Sequence, residues 1–248
     1  MKVGIGYAFY GSNQAHFDYA KETLDSIKSA EHELMFCGVI NYSARGEYDA
    51  YLRGKGMVIN NPENNVSMAW NRSIRELLSA GCQYVIVPNL DLVFKSNLVD
   101  KLVGFAETHK EYILWTALPW GELESIEQAT EVENAPETPH FSCFMVDHRL
   151  FDEVGEFDEN FRPAYNEDID MHWRIFLANQ KAVGYEGARF YHHGSRTIKS
   201  DPALLERNHV THDLNNKYFV RKWGFKPATG NDPFNLEKMY STPFNRGW

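Results

Sequence analysis

The sequence has few cysteines, and their placement excludes a disulfide-stabilised secreted protein. Only three occur among 248 residues, at Cys37, Cys82 and Cys143. Each lies far from the others inside an apolar run, where a reduced thiol behaves as a small hydrophobic side chain. An odd number at such spacing is not a disulfide framework, so we expect a reducing compartment.

Long hydrophobic runs and an excess of basic residues are also missing. No uninterrupted apolar run approaches the roughly twenty residues of a membrane-spanning helix, and the N-terminal MKVGIGYAFYG lacks the apolar stretch of a signal peptide. The 34 Asp and Glu residues outnumber 25 Lys and Arg residues, which excludes a basic surface for a nucleic-acid backbone. We therefore expect a cytoplasmic protein with no transmembrane segment and no nucleic-acid partner.

Strand and helix patterns alternate along a chain that is long enough for one large α/β domain with an extension. VGIGYAF alternates large and small residues, which predicts a strand with one closely covered face. In the next segment, QAHFDYAKETLDSIKSA, the apolar residues recur at the spacing of an amphipathic helix. Further strands are predicted at ELMFCGVIN, MVIN, QYVIV, YILWTAL, HFSCFMV and GARFYHHGS, and further helices at 66–81, after a cap at Ser96, at RLFDEVG and from about Asn166. This alternation predicts a largely parallel sheet covered on both faces, with ligands beyond the carboxyl ends of its strands.

The first candidate site is NLD, residues 89–91, which directly follows the buried strand QYVIV. A carboxylate at Asp91 can bind magnesium or manganese that also contacts a diphosphate, because these cations prefer oxygen ligands. An ordinary turn is the alternative. In RFYHHGS, His192 and His193 point to opposite faces of a strand, so only one can enter a given site. Either can also be a hydrogen-bonded structural histidine.

The segment YNEDIDMHWR predicts a helix that starts with several carboxylates. Asn166 can be the N-cap, while Glu167 and Asp168 complement the helix dipole and Asp170 can pair with Arg174. A carboxylate on a first helical turn is also held by the backbone, as a general base requires. Both interpretations stay open from the residues alone. The helix is expected to bury Ile169, Trp173, Phe176 and Leu177.

An acidic segment, residues 121–139, contains six glutamates and two prolines. A solvated loop or frayed helix is the favoured interpretation, and a mobile flap over a site is the alternative. The aromatic residues of the tail, around Tyr218 and Trp223, either anchor the C-terminus or contact a sugar ring.

Taken in order, the strand followed by NLD, then VGEFDENF, YNEDIDMHWRI and FYHHGS, resembles the GT-A-fold glycosyltransferases of the family-2 type. The resemblance covers roughly residues 1–200 and implies a Rossmann-like α/β/α sandwich with a mostly parallel central sheet. It also implies a nucleotide-sugar half at 1–95 and a catalytic and acceptor half at 96–200. A C-terminal helical extension at 201–248 is expected to pack on the acceptor side.

The resemblance also implies roles for individual residues. Asp91 would bind the metal with His192, or with His193 as the alternative, and Asp168 would be the catalytic base beside Glu167. The donor-side residues would be Phe9, Tyr10, Asn41, Asn71 and Asn89, and the acceptor-side residues would be Trp120 and Asp170. The chain departs from the pattern at Asn89, where the first aspartate of DxD is usual, and in INYSARGEYD, where Asn41 and Asp49 are stand-ins for an acidic pair.

The implied activity is metal-assisted, inverting transfer of a sugar in glycan biosynthesis, of the hexosyltransferase type. The donor would be a nucleotide-diphosphate sugar, with a UDP-sugar expected, the cofactor Mn²⁺ or Mg²⁺, and the acceptor a hydroxyl group of a glycan or another molecule. A catalytically weak nucleotide-sugar-binding module is one alternative, because Asn89 and the missing acidic pair weaken the pattern. A nucleotide-sugar hydrolase is another.

Overall fold

An eight-stranded sheet forms the centre of the molecule, in the order β3-β2-β1-β4-β7-β6-β8-β5. The computed structural model describes residues 1–11, 13–41, 46–132, 134–135, 139–194 and 202–227. The strands are β1 Lys2–Phe9, β2 Glu33–Ile40, β3 Met57–Asn60, β4 Tyr84–Pro88, β5 Leu92–Phe94, β6 Leu114–Trp120, β7 Cys143–Val146 and β8 Ala182–His192. The helices are α1 Gln14–Ser26, α2 Gly46–Lys55, α3 Val66–Ser79, α4 Leu98–Thr108, α5 Glu167–Leu177 and α6 Pro202–Trp223. A 3-10 turn, Ile126–Gln128, and a π-helical turn, Leu150–Val154, complete the described elements.

Six of the eight strands run in one direction. β7 is antiparallel to β4 and β6, β5 is antiparallel to β8, and every other pair is parallel. One hydrophobic core contains residues of α1 and α4, and the other contains residues of α3, α5 and α6. The predicted α/β/α sandwich with a mostly parallel sheet is therefore confirmed.

The close cover on one face of β1 comes from α3. Large Val3, Ile5 and Tyr7 enter the core on the side of α1 and α4. A Cβ added at Gly4 would lie 2.9 Å from the Cβ of Leu77, and one added at Gly6 would lie 2.7 Å from Ser73 Oγ. The alternation in VGIGYAF thus reflects the distance at which the helix packs on the sheet.

Three local predictions require correction. Ser96 does not cap α4, because its hydroxyl donates to Glu127 and the N-cap is Asn97, without a side-chain capping bond. Phe176 and Leu177 are exposed rather than buried. In their place α5 buries Met171 and Ile175, together with the predicted Ile169 and Trp173. Helix α2 and strand β5 were not predicted.

The acidic segment is fixed to the domain in its described part. Glu131 accepts hydrogen bonds from Lys95 Nζ (2.8 Å) and Asn97 Nδ2 (2.7 Å), and it also pairs with Lys101. These three hydrogen bonds lower the pKa of Glu131 to about 2, and the bond from Asn97 makes the largest contribution. Glu127 accepts from Ser96. Residues 133 and 136–138 lie outside the described part, so the prediction of a flap stays untested for them.

The described part of α6 packs against the segment that leads into α5. Tyr218 Oη and Lys222 Nζ both donate to Asp158, at 2.8 and 2.7 Å. Partial burial acts to raise the pKa of Asp158, but the ammonium group of Lys222 outweighs it and lowers this pKa to about 2. The helix is therefore tied to the domain by charged as well as apolar contacts. Over the part of the chain that the structure describes, no helix is both long and apolar enough to span a membrane.

The contact between Gly4 and Leu77 predicts the effect of a methyl group on stability. Gly4→Ala should lower the free energy of unfolding by about 1–3 kcal/mol, because the strand or helix must shift to admit it. Gly104→Ala is the control, since Gly104 is exposed on α4 and its added Cβ would meet no atom within 4 Å. It should be neutral or stabilising by about 0.5–1 kcal/mol. Urea unfolding measures both, and equal stabilities of the two variants would contradict this packing.

Candidate active site

The candidate residues are brought to one edge of the sheet by the strand directions. Strands β1, β2, β3, β4, β6 and β8 all end at this edge, where β5 and β7 begin. Helix α5 leads through a short turn to the start of β8 at the opposite edge, so its first turn lies at the same edge as these strand ends. A hydrogen bond from Val66 N to Pro163 O (2.9 Å) ties the segment before α5 to the start of α3 there. Asp91, His192 and Asp168 therefore share one edge.

The pairing of β5 with β8 brings Asp91 to His192. Leu92 lies opposite His192 in the antiparallel ladder, and His193 N donates to Asp91 O at 2.9 Å. The side chains meet with 3.2 Å between His192 Nε2 and Asp91 Oδ1. Asp91 is buried and His192 is half-buried. At this edge the carboxylate could hold a metal, and the imidazole could contact a metal or a diphosphate.

His193 points away from this pair, as strand geometry requires of its neighbour. Its Nε2 lies 2.9 Å from Glu22 Oε2 on α1, and its ring packs against Tyr19 with centroids 4.9 Å apart. His193 was the alternative ligand to His192, and its contacts give it a structural position instead.

A third histidine, His140, was not predicted. Its ring lies beside that of His192, with 6.5 Å between centroids, and its backbone N donates to Thr116 Oγ1. Burial and the neighbouring His192 lower the pKa of His140. Within the described residues its Nδ1 has no hydrogen-bond partner. The single sequence signal was its place as the first residue of the predicted strand HFSCFMV.

A metal site of at least three His, Cys, Asp or Glu residues does not occur among the residues that the structure describes. Asp91 and His192 could supply two ligands, a carboxylate oxygen of the kind that manganese and magnesium prefer and an imidazole nitrogen. Of the predicted ligands, these two are in contact. Water or ligand phosphate oxygens would have to complete the coordination.

The first turn of α5 follows two residues in the left-handed conformation, Tyr165 (φ 85°) and Asn166 (φ 71°). Such conformations cost non-glycine residues about 1–3 kcal/mol unless the surroundings hold them. Asn166 is the N-cap position, as predicted, but its side chain makes no capping bond and donates instead to Asn216 Oδ1 at 2.9 Å. The start of α5 is therefore held by tertiary contacts.

Glu167 and Asp168 differ in exposure although they are adjacent. Glu167 is buried, Asp168 is half-buried, and Asp168 Oδ1 accepts from Ile169 N at 2.8 Å. Desolvation, with a smaller contribution from the charge of Asp168, raises the pKa of Glu167 to about 8. Burial also raises the pKa of Asp168. The pair thus favours a single negative charge at neutral pH, with the proton on the more deeply buried Glu167.

Asp170 was expected on the acceptor side, and this expectation is wrong. Its side chain is 0 % exposed and is saturated by Arg174 Nε at 2.9 Å, Trp223 Nε1 at 2.7 Å and Lys222 Nζ at 2.7 Å. The pairing with Arg174 is the helix contact that was predicted as its alternative. Asp170 therefore joins α5 to α6 and cannot contact an acceptor.

Two of the expected donor-side residues are structural. Phe9 is 1 % exposed and packs edge-on against Tyr48 in the core. Asn71 is 0 % exposed, and its amide exchanges two hydrogen bonds with the backbone of Phe157, both at 2.8 Å. Asn71 thereby fixes the turn in VGEFDENF, and neither residue is free to contact a ligand.

The other donor-side residues remain at the sheet edge. Asn41 Oδ1 accepts from Asn61 Nδ2 at 2.6 Å, which joins the ends of β2 and β3. Tyr10 and Asn89 are half-buried, with Tyr10 beside His16 and Asn89 N donating to Ser142 O. At the end of β6 the half-buried Trp120, expected on the acceptor side, donates from Nε1 to Ser125 Oγ at 2.9 Å. Residues 42–45 of INYSARGEYD lie outside the described part.

Comparisons with known proteins identify the fold. No family model matches the chain, and no curated protein sequence matches it. Among solved structures, GalNAc-T7 with UDP, GalNAc and Mn²⁺ is similar with a TM-score of 0.59 and 12 % identity, over 77 % of this chain and 44 % of that chain. S. aureus TarS is similar with a TM-score of 0.55 and 16 % identity, over 79 % of this chain and 37 % of that chain.

A shorter TarS structure, residues 1–349 in complex with UDP, has a TM-score of 0.54 and 16 % identity, over 77 % of this chain and 60 % of that one. The chain thus spans less than two thirds of the length of each of these structures. Both proteins are GT-A-fold glycosyltransferases. The predicted GT-A fold is therefore confirmed, and at such low identity the similarity shows the fold alone.

The raised pKa of Glu167 predicts how stability depends on pH. An unfolded glutamate loses its proton near pH 4.5, whereas folded Glu167 keeps it to about pH 8. Between these values the folded state binds more protons, so this residue's contribution to stability falls as pH rises. Glu167→Gln should remove that fall and become more stable relative to the wild type, by about 3–4 kcal/mol between pH 5 and 8. Urea unfolding across this range measures the difference, and parallel stability curves would contradict the raised pKa.

Proposed function

We propose that this protein is a glycosyltransferase that moves a sugar from a nucleotide-diphosphate sugar to an acceptor hydroxyl group. The observation that carries the proposal is the contact of Asp91 with His192 at the edge where α5 presents Asp168. The GT-A fold supports it, since two of the similar structures contain UDP. On this basis a UDP-sugar is the proposed donor, a hexose the proposed group, and a glycan or another hydroxyl compound the proposed acceptor.

Asp91 and His192 would hold Mn²⁺ or Mg²⁺, which when bound would supply positive charge for the leaving diphosphate. The carboxylate oxygen of Asp91 suits either ion, whereas the imidazole nitrogen of His192 favours manganese over magnesium. The ring of His140 lies beside that of His192, and within the described residues its buried Nδ1 has no hydrogen-bond partner. These three side chains would bind and orient the diphosphate end of the donor.

Asp168 would be the catalytic base. As the acceptor oxygen bonds to the anomeric carbon, the bond from that carbon to the diphosphate breaks and the hydroxyl proton passes to Asp168. A protonated Glu167 beside it leaves the single negative charge on Asp168, and burial raises the pKa of this base toward the working pH. Attack from the face opposite the diphosphate would invert the anomeric centre.

The two halves of the chain would have different roles. Residues 1–95 would bind the nucleotide through Tyr10, Asn41 and Asn89, and residues 96–200 would present the acceptor. The described part of the extension, residues 202–227, would lie on the acceptor side, whereas residues 201 and 228–248 lie outside the part of the chain that the structure describes. Trp120 would offer its aromatic face to a sugar ring.

The first test replaces the proposed base. Asp168→Asn should lower transfer by at least about 10²–10⁴-fold, because an amide cannot take the acceptor proton. Binding of UDP should be retained, since Asp168 does not belong to the donor site. Turnover of UDP-sugars with added acceptors, and calorimetry with UDP, measure the two effects. Asp152→Asn, the same change at an exposed position, is the matched control and should leave turnover unchanged.

Three results would overturn the assignment. Unchanged turnover in Asp168→Asn would rule out Asp168 as the base. UDP binding with no product from any donor would favour a nucleotide-sugar-binding module, which the substitution of asparagine at position 89 makes the main alternative. Rapid release of UDP from donor alone would favour a hydrolase.

A second test separates the two adjacent histidines by binding rather than activity. Ligand at about 100 times its Kd adds about 2.7 kcal/mol, which raises the melting temperature of a chain of this size by about 5–10 °C. UDP with Mn²⁺ should give such a rise in the wild type and in His193→Ala. Asp91→Asn and His192→Ala should lose the manganese-dependent part. The assignment would be contradicted if His193→Ala lost the manganese-dependent rise in melting temperature and His192→Ala kept it.

A further inference from the structure

A buried amide on α6, that of Asn215, contacts the backbone directly before the proposed base. Asn215 Nδ2 donates to Ala164 O at 2.7 Å and to Tyr165 O at 3.0 Å. Its Oδ1 lies 3.3 Å from Arg162 N and accepts from it. All three contacts fall on a segment of four residues that ends two positions before Glu167. One buried side chain, 4 % exposed, thus meets this segment with both its donors and its acceptor.

The segment needs such contacts because of its conformation. Tyr165 and Asn166 are consecutive left-handed residues, and neither is glycine. Their conformation directs the carbonyl groups of Ala164 and Tyr165 toward α6 and away from any helical partner. Even partly buried carbonyl groups are unfavourable without a donor, so the amide of Asn215 stabilises this conformation over the ordinary right-handed one.

Two neighbouring residues of Asn215 on α6 add contacts to the same segment. Asn166 Nδ2 donates to Asn216 Oδ1 at 2.9 Å, and the ring of Tyr165 packs edge-on against His212 with centroids 5.3 Å apart. Asn166 O then accepts from Asp170 N at 2.9 Å in the first turn of α5. The backbone that carries Asp168 therefore begins at a point fixed by α6.

We infer that Asn215 is a positioning residue that aims Asp168 by holding the left-handed backbone before α5. This inference rests on the proposed function, in which Asp168 is the base. It gives the last helix a part in catalysis beyond the apolar anchoring of the C-terminus, although none of its side chains need touch the substrate. Without the amide, the segment would relax and the first turn of α5 would lose its fixed start.

The test compares two variants of the same helix. Asn215→Ala should lower kcat by about 10–100-fold and leave the KM for donor and the binding of UDP unchanged, because misalignment of a base affects the chemical step. Tyr218→Phe is the matched control, since it also loses one hydrogen bond from α6 to the domain, to Asp158, but does not contact residues 162–166. Its kcat should stay within about twofold of the wild type.

Hydrogen exchange provides a readout that does not depend on activity. In Asn215→Ala the amides of residues 166–170 should exchange at least about tenfold faster than in the wild type, and in Tyr218→Phe they should not. If Asn215→Ala fails to fold, Asn215→Asp takes its place, because the isosteric carboxylate keeps the acceptor for Arg162 N and removes both donors.

The outcomes separate this inference from the proposed function. Equal kcat values in Asn215→Ala and Tyr218→Phe, or unchanged exchange at residues 166–170, would overturn the positioning role. A wild-type chain that transfers no sugar would overturn the proposed function instead. The exchange rates would then decide alone whether Asn215 fixes the start of α5.

Discussion

Parallel strand pairing is the constraint on which the rest of this structure depends. Six strands that run in one direction end at one edge, and the helices that connect them return to the opposite one. Residues far apart in the sequence, such as Asp91, Asp168 and His192, reach the same edge for this reason alone. The constraint also sets the distance between sheet and helix, because α3 packs over Gly4 and Gly6 too closely for any side chain. The core and the candidate site are thus two results of one arrangement.

Periodicity in the sequence predicts those parts of the fold that depend on local patterns. The alternation of VGIGYAF, the helical spacing in the next segment and the buried strand before NLD all correspond to elements of the sheet and its covering helices. Strand β5 has three residues, and α2 follows residues 42–45, which the structure does not describe. In neither element is the pattern of apolar residues long enough to predict a strand or a helix. The order of the motifs carried the resemblance to GT-A enzymes, and this information is not contained in periodicity.

Asparagines mark the limit of prediction from sequence. Asn71 was predicted to contact a ligand because it matches a motif. Asn166 was predicted to form a capping bond because it precedes a helix. In the structure each bonds to a partner distant in the chain, Phe157 for Asn71 and Asn216 for Asn166. Asp170 was assigned both an ion pair and an acceptor contact, and the pair with Arg174 is the one present. Long-range partners of polar side chains follow from the tertiary fold, which one sequence does not specify.

The hydrogen bonds from Asn215 join residues that are 51 and 50 positions apart in the chain. A ribosome completes the segment before α5 well before it completes α6. A nascent chain can therefore pair β1 to β4 while the backbone that carries Asp168 still lacks the amide that fixes it. On the proposed function, the base would therefore take its final position late in folding, and the growing chain would gain transfer activity only when α6 docks.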